Sequence, residues 1–281
     1  MTQPKGFLIA IGGAEDKGHV KRQKSSLVSF EENGILKSLI KLVSNYHWPR
    51  IEVISTASSF PEVIAKDYLA AFRKLGCFDV GHLDIQSREQ AESKPVLARL
   101  KKANCIFFTG GDQRKLCSIL KETTFIDIIK ARYLYEPFFI AGSSAGAAAM
   151  SHIIITGGSA SKAYKKGHVN FCTGFGFLQE AVIDTHFDKR GRLSRLLQAI
   201  AQHPNMIGIG LSEDTGIIVE RGHVFRAIGS GTAVLIEGRK LSYNNFHMLS
   251  KNTPYTLSNV VLHTLSTSNI FNLNTNELET A

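Results

Sequence analysis

The chain of 281 residues has no long apolar run, and none of its stretches approaches the roughly 20 residues that a spanning helix needs. No membrane partner is expected. The opening Met1-Thr2-Gln3-Pro4-Lys5-Gly6 leads straight into the short apolar run Phe7–Ile11. That run is too short for the core of an export signal and carries no cleavage pattern, so a cytoplasmic protein is expected. Cysteine is scarce: Cys77, Cys105, Cys117 and Cys172 stand far apart, without the paired spacing of a zinc ribbon or redox motif. Reduced thiols and no metal site are the expectation. There is no Pro- or Ser-rich linker and no internal repeat, so residues 1–281 read as a single domain, with a polar tail over 264–281 expected to fray. Neither G-x-x-x-x-G-K-[ST] nor G-x-G-x-x-G occurs at the glycine-rich turns, which disfavours nucleotide binding.

What is present in excess is positive charge, with 33 Lys and Arg against 24 Asp and Glu. The basic residues are scattered and frame no nucleic-acid-binding motif, so a solvated basic surface is expected rather than a nucleic-acid partner. Two short clusters, Lys17–Lys24 and Lys162–Lys166, are placed to attract an acidic ligand or polymer. Hydrophobic residues at 43% and charged residues at 20% are ordinary for a folded globular chain.

Short β-rich runs alternate with helical-period segments through the first two thirds. Phe7–Ile11, Ile51–Ile54, Val80–Leu83, Cys105–Phe108 and Phe138–Ala141 read as strands; Leu27–Val43, Pro61–Leu75, Val96–Lys102 and Arg114–Leu120 read as helices. This rhythm predicts an α/β fold, a mostly parallel central sheet with helices on both faces. A polar stretch, Gly157–Gly167, reads as a loop over the active edge, followed by a strand at Ala181–Asp184 and a helix from about Arg190 to His203. The last third is β-rich: Ile207–Leu211, Gly216–Val219, Val224–Ile228 and Ala233–Ile236, with a hairpin turn at Glu220-Arg221-Gly222-His223. In an open α/β sheet, the polar clusters that follow the strands gather on the carboxyl edge, where ligands bind.

Gly142-Ser143-Ser144-Ala145-Gly146 satisfies G-x-S-x-G between an apolar strand and a helix-forming Ala147-Ala148-Ala149-Met150. A sharp strand-to-helix turn of this kind exposes its central serine, here Ser144, as a nucleophile. A nucleophilic serine needs a base, and Asp184-Thr185-His186-Phe187 places His186 directly after a strand. Its rivals sit in weaker settings: His19 in a basic loop, His47 beside Trp48, His82 within a strand, His203 at a helix end. The turn Thr109-Gly110-Gly111-Asp112-Gln113 can present the Gly111 N–H to a substrate oxygen, with the Ala145 N–H as the second oxyanion donor. Arg190, Arg192 and Arg195 either hold a carboxylate in a bidentate fork or form a solvated basic face. Glu213-Asp214 is either a buried acid pair near the histidine or a turn.

Taken together and in order, Gly12-Gly13-Ala14-Glu15-Asp16, Gly110-Gly111-Asp112-Gln113, the Ser144 elbow, Asp184-Thr185-His186-Phe187 and Arg190-Gly191-Arg192-Leu193 resemble cyanophycinases and the related aspartyl dipeptidases. Gly208-Ile209-Gly210-Leu211-Ser212-Glu213-Asp214 extends the likeness over nearly the whole chain. The resemblance implies a flavodoxin-like sheet similar to that of class I glutamine amidotransferases, with a C-terminal β-rich portion. It implies a serine exopeptidase that hydrolyses β-aspartyl peptide bonds, needs no cofactor, and forms a homodimer. Gln113, Asp184, Arg190, Arg192 and Arg195 match the family's substrate pocket, and Thr185 stands where the family often has Gln, which makes a small isoaspartyl peptide a credible substrate beside the polymer. Lys162 stands at the position matched to the family's triad acid. A protonated lysine cannot accept a hydrogen bond from an imidazole. Either another carboxylate, Glu213 first, takes that role, or the chain is an impaired relative that binds peptides. An α/β-hydrolase esterase also uses G-x-S-x-G but places its histidine late in the chain.

Overall fold

The computed structural model describes residues 3–19, 29–275 and 277–280. Residues 20–24 of the Lys17–Lys24 cluster and the first two residues of the helix expected over Leu27–Val43 lie outside the described residues.

Short runs form strands β1 (Phe7–Ile11), β2 (Ile51–Ile54), β3 (Val80–Leu83), β4 (Cys105–Phe108) and β5 (Phe139–Ser143), wholly apolar in β1 and β4 and interrupted by Glu52 in β2 and by Gly81-His82 in β3. The helices around them are α1 (Ile35–Ser44), α2 (Pro61–Lys74), α3 (Arg88–Ala91), α4 (Lys94–Lys102), α5 (Gln113–Leu120), α6 (Thr124–Tyr135) and α7 (Ala145–Ala148). Pro61 opens α2, where a missing N–H costs nothing. Strands β1 to β5 are parallel, in the spatial order β1-β5-β4-β2-β3. Side chains alternate between two cores, as a strand period of two requires. Phe7, Ile9, Ile11, Val53 and Phe107 pack with α1 and α2, while Leu8, Ala10, Ile106 and Phe108 pack with α4, α5 and α6. The expected sheet covered on both faces is what this chain builds. Helix α6 went unrecognised because it lacks a clean apolar stripe, and Phe125, Ile126, Ile129 and Tyr133 are all buried.

Beyond α7 come β6 (Ile153–Gly158), β7 (Val169–Thr173), β8 (Ala181–Thr185), α8 (Leu193–Gln202), β9 (Ile207–Leu211), β10 (Thr215–Glu220), β11 (Val224–Gly229) and β12 (Ala233–Glu237). The chain closes with β13 (Tyr243–Asn244), β14 (Leu257–Ser258), β15 (Val261–Leu265), β16 (Ile270–Asn272) and β17 (Glu277–Glu279). β10 pairs antiparallel with β1 and carries β11, β16 and β17 outward, making a nine-stranded sheet. With that place beside β1 taken, β8 does not extend the parallel set. It pairs in parallel with β9 in a second sheet, ordered β15-β12-β9-β8. One side of the second sheet joins the core that contains Leu8 and Phe108, and Phe187 and Ile236 pack with Leu196 and Ile200 of α8.

Two segments differ from expectation. Of the stretch read as a loop over Gly157–Gly167, the first two residues belong to β6 and the rest connects β6 to β7, tied to α8 by Ser194 Oγ donating to the Ala160 carbonyl and Gln198 Nε2 to that of Ala163. The tail expected to fray carries β16 and β17, and Phe271 is fully buried. One buried aromatic ring outweighs the polar composition around it. No helix among the described residues is long and apolar enough to cross a membrane.

Candidate active site

Two pairs of neighbouring parallel strands end at the same place. β1 and β5 lie side by side with Ile11 opposite Ser143, and β8 and β9 lie side by side with Thr185 opposite Leu211. The residues that follow these ends, Gly12 to Asp16, Ser144, His186 and Ser212 to Asp214, must therefore converge.

Ser144 sits between β5 and α7 with φ 51° and ψ −106°, a region few non-glycine residues adopt. The turn is crowded enough that a Cβ on Gly146 would meet the Phe108 carbonyl oxygen at 2.3 Å. Ser144 Oγ lies 3.0 Å from His186 Nε2, and His186 Nδ1 lies 2.8 Å from Glu213 Oε1. A carboxylate only accepts hydrogen bonds, so it selects the tautomer with the proton on Nδ1 and leaves Nε2 free to accept from the serine hydroxyl. The second Glu213 oxygen accepts from Lys189 Nζ at 3.2 Å. Partial burial raises the Glu213 carboxyl, but the hydrogen bonds from His186 and Lys189 outweigh it and hold the group below its ordinary value. Chemically the three groups form a relay that can take a proton from a serine hydroxyl and stabilise the imidazolium that results.

Two of the rival histidines are engaged elsewhere: His82 with Ser55 Oγ at 2.7 Å, His47 with the Pro137 carbonyl at 2.9 Å. Lys162 lies exposed on a single 3-10 turn, and the group at His186 Nδ1 is Glu213. Gly110 flanks the serine, since a Cβ there would sit 3.5 Å from Ser144 Cβ. Among the described residues, neither the Gly111 nor the Ala145 N–H has a backbone acceptor.

The residues matched to a substrate pocket divide. Asp184 is 3% exposed and is met by Arg192 Nη1 at 3.1 Å and by Arg195 Nη2 at 3.2 Å. Arg195 Nε also approaches Asp184 Oδ2 at 3.1 Å, an ion-pair contact poorly aligned for hydrogen bonding. Burial pushes the Asp184 carboxyl up, against the pull of both guanidinium groups. These three side chains thus meet one another in the structure. Thr185 is buried and its carbonyl accepts from Arg192 at 2.6 Å. Gln113 donates to the Ile155 carbonyl at 2.7 Å, which ties α5 to the β6–β7 hairpin. Arg190 is exposed, and no carboxylate pairs with it among the described residues. A cavity of about 390 Å³ opens beside this loop, lined by Phe187, Asp188, Arg192 and Ser212 among others. Among the described residues, no cluster of His, Cys, Asp or Glu is arranged to hold a metal ion.

Sequence reasoning missed three contributors. Gly13 packs against the His186 ring, Glu15 lies buried beneath the elbow, and Lys189 meets Glu213. The signal for the first two was a Gly-Gly pair leaving a strand toward the shared edge.

The fold agrees with what known proteins show. Residues 24–227 match the model of peptidase family S51. A cyanophycinase of Trichormus variabilis is 36% identical over 269 residues, covering 96% of this chain and 86% of that protein. A cyanophycinase of Geminocystis herdmanii is 33% identical over 273 residues, covering 97% and 96%. Among solved structures, a peptidase from an acI-B1 Actinobacterium has a TM-score of 0.64 at 20% identity, covering 95% of this chain and 98% of that one. A peptidase E-like protein of Listeria monocytogenes EGD-e has a TM-score of 0.51 at 18% identity, covering 82% and 100%. The chain belongs to peptidase family S51. It is a cyanophycinase-like serine peptidase, a hydrolase acting on a peptide, and the alternative of an impaired, peptide-binding relative finds no support.

Proposed function

We propose that this chain hydrolyses β-aspartyl peptide bonds, releasing β-Asp-Arg dipeptides from cyanophycin or cleaving related isoaspartyl peptides, with Ser144, His186 and Glu213 as its catalytic triad. The observation that carries this reading is the relay of two contacts, 3.0 Å from Ser144 Oγ to His186 Nε2 and 2.8 Å from His186 Nδ1 to Glu213 Oε1. His186 takes the Ser144 proton as Oγ attacks the scissile carbonyl, then returns it to the leaving amine; water resolves the acyl-enzyme by the same path in reverse. The N–H groups of Gly111 and Ala145 receive the oxyanion. Glu213 holds the imidazole tautomer and balances the charge it gains, and Lys162 has no part in the relay.

On the substrate side, Arg190 and the partly open Arg192 are the guanidinium groups in reach of an aspartyl carboxylate, while Arg195 and Asp184 hold Arg192 in place. Gln113 and Thr185 shape the wall of the site through their neighbours rather than by free donors. The substrate class is supported by the relatives at 33% and 36% identity over nearly the full chain, all cyanophycinases by name. A cytoplasmic homodimer belongs to the same reading, and light scattering coupled to size exclusion tests the dimer.

The deciding experiment incubates wild-type protein and Ser144→Ala with cyanophycin, β-Asp-Arg and β-Asp-Leu. Product from wild type and none from the variant is expected. Binding of these peptides by both proteins without turnover by either overturns the proposal.

A further inference from the structure

The end of β1 and the turn that leaves it hold Ser144, His186 and the residue after Glu213. Three successive carbonyls, those of Ile11, Gly12 and Gly13, accept the backbone N–H of Ser144, His186 and Asp214, each at 2.9 Å. All three donors hold left-handed φ angles of 51°, 49° and 49°, and Ala14 within the turn holds 54°. Four of the nine non-glycine residues with positive φ among the described residues thus meet at one turn. Such strain persists only where the surroundings over-determine it.

The same turn also bears on the His186 ring and on the residue before the nucleophile. Gly13, at φ 102°, lies so close to the imidazole that a Cβ would come within 2.5 Å of His186 Cε1 and 2.7 Å of Nε2. Two residues on, Glu15 is 1% exposed. Its Oε2 accepts from Oγ of Ser143, the residue before the nucleophile, at 2.7 Å, and its Oε1 accepts from the Tyr68 hydroxyl. Lys17 Nζ lies 3.8 Å from Oε1 and 4.7 Å from the centre of the Tyr68 ring. Burial and the Glu15 charge push the Tyr68 hydroxyl well up, so it stays protonated and donates. A buried carboxylate held by two hydroxyls and a lysine is a fixed anchor, and it is bonded to the base of the elbow.

We propose that the turn Gly12-Gly13-Ala14-Glu15 is the positioning element of this site, with Gly13 seating the His186 ring and Glu15 fixing the elbow through Ser143. None of these side chains touches substrate; they set the separation of Oγ from Nε2. The inference rests on the triad proposed above and adds the element that aligns it.

The test reads the rate at which a fluorophosphonate labels Ser144, a rate that depends on the serine–histidine geometry and not on substrate identity. Gly13→Ala is expected to slow labelling by about 100-fold, the scale of a displacement of about 1 Å at a reacting group. Glu15→Gln, which turns an acceptor into a donor facing a hydroxyl, is expected to slow it by about tenfold. Ser143→Ala is expected to slow labelling too, and in the double variant Glu15→Gln/Ser143→Ala the losses fail to multiply, because both act through one hydrogen bond. For each variant, thermal unfolding gives the folded fraction, and KM for cyanophycin stays near the wild-type value while kcat falls. If Gly13→Ala does not fold, the Glu15 and Ser143 pair decides. Labelling at the wild-type rate, losses that simply multiply, or losses equal to the unfolded fraction overturn the inference. A wild-type protein that is not labelled overturns the triad itself, and is thereby distinguishable.

Discussion

Replacing Glu213 by glutamine keeps the shape of the side chain and removes its charge. The contact at stake is the 2.8 Å approach of Oε1 to His186 Nδ1, with Lys189 Nζ 3.2 Å from the other oxygen. An amide can turn its NH₂ toward Nδ1, which then accepts, and the ring proton moves to Nε2. In that tautomer the imidazole points a donor at Ser144 Oγ and cannot take its proton. Loss of the acid's tautomer control in a serine triad costs about 10⁴ in kcat, or about 5.5 kcal/mol of transition-state stabilisation. The group is 24% exposed, so water can relieve part of the loss, and a fall between about 10² and 10⁴ is expected. The assay is single-turnover release of β-Asp-Arg from cyanophycin at fixed pH, with unfolding midpoints measured in parallel. Lys162→Ala serves as its counterpart: it is exposed and is expected to change the rate by less than about twofold. A fall of under about tenfold for Glu213→Gln, or a collapse for Lys162→Ala, would refute the assignment of Glu213 as the orienting acid.

Arg195→Ala leaves the buried Asp184 carboxylate with one of its two guanidinium partners and is expected to cost about 3–5 kcal/mol in urea unfolding. Phe271→Ala is expected to cost a similar amount, about 3–5 kcal/mol, since the ring is fully buried in β16; a tail that frays would show no change. Because the folded Glu213 carboxyl is held below its ordinary value, the stability it contributes is complete above the unfolded value and is lost as pH falls through the folded one. Lys189→Ala removes one of the contacts that lower it and brings the folded value closer to the unfolded one, so the acid-dependent loss of stability is expected to be smaller and to level off at a higher pH, followed by thermal unfolding between roughly pH 3 and pH 6.

The core strands were legible because most are buried on both faces and short. Phe7–Ile11 and Cys105–Phe108 stand out as unbroken apolar runs, Ile51–Ile54 and Ile207–Leu211 as apolar runs broken only by Glu52 and by glycine, and Val80–Leu83, at the sheet edge, by its apolar ends; each strand has those bounds in the structure. The elbow was legible for a different reason: a turn too crowded for side chains writes itself as Gly142, Ser143, Ala145 and Gly146 around one serine. Helix α6 and the β6–β7 hairpin were not legible. The first buries one face, Phe125, Ile126, Ile129 and Tyr133, but carries apolar residues such as Ile128, Leu134 and Tyr135 outside it, which blurs the pattern, and the second carries glycine and lysine on a hairpin held by α8 rather than by a core stripe of its own.

By itself the sequence determined which residues have chemistry to offer, Ser144 on its turn, His186 after a strand and Glu213 after the next, because local spacing and turn composition are written in consecutive residues. It could not determine that they meet. The strands that carry His186 and Glu213 leave the main sheet for a second one, and β10 brings the chain back beside β1 directly after Glu213. Only that crossing puts Glu213 at Nδ1, with Lys162 exposed on its own turn, and lets three carbonyls of the β1 turn hold three loops at once. Contacts between residues 27, 42 and 128 positions apart belong to strand order and register, which a sequence pattern of one strand does not contain.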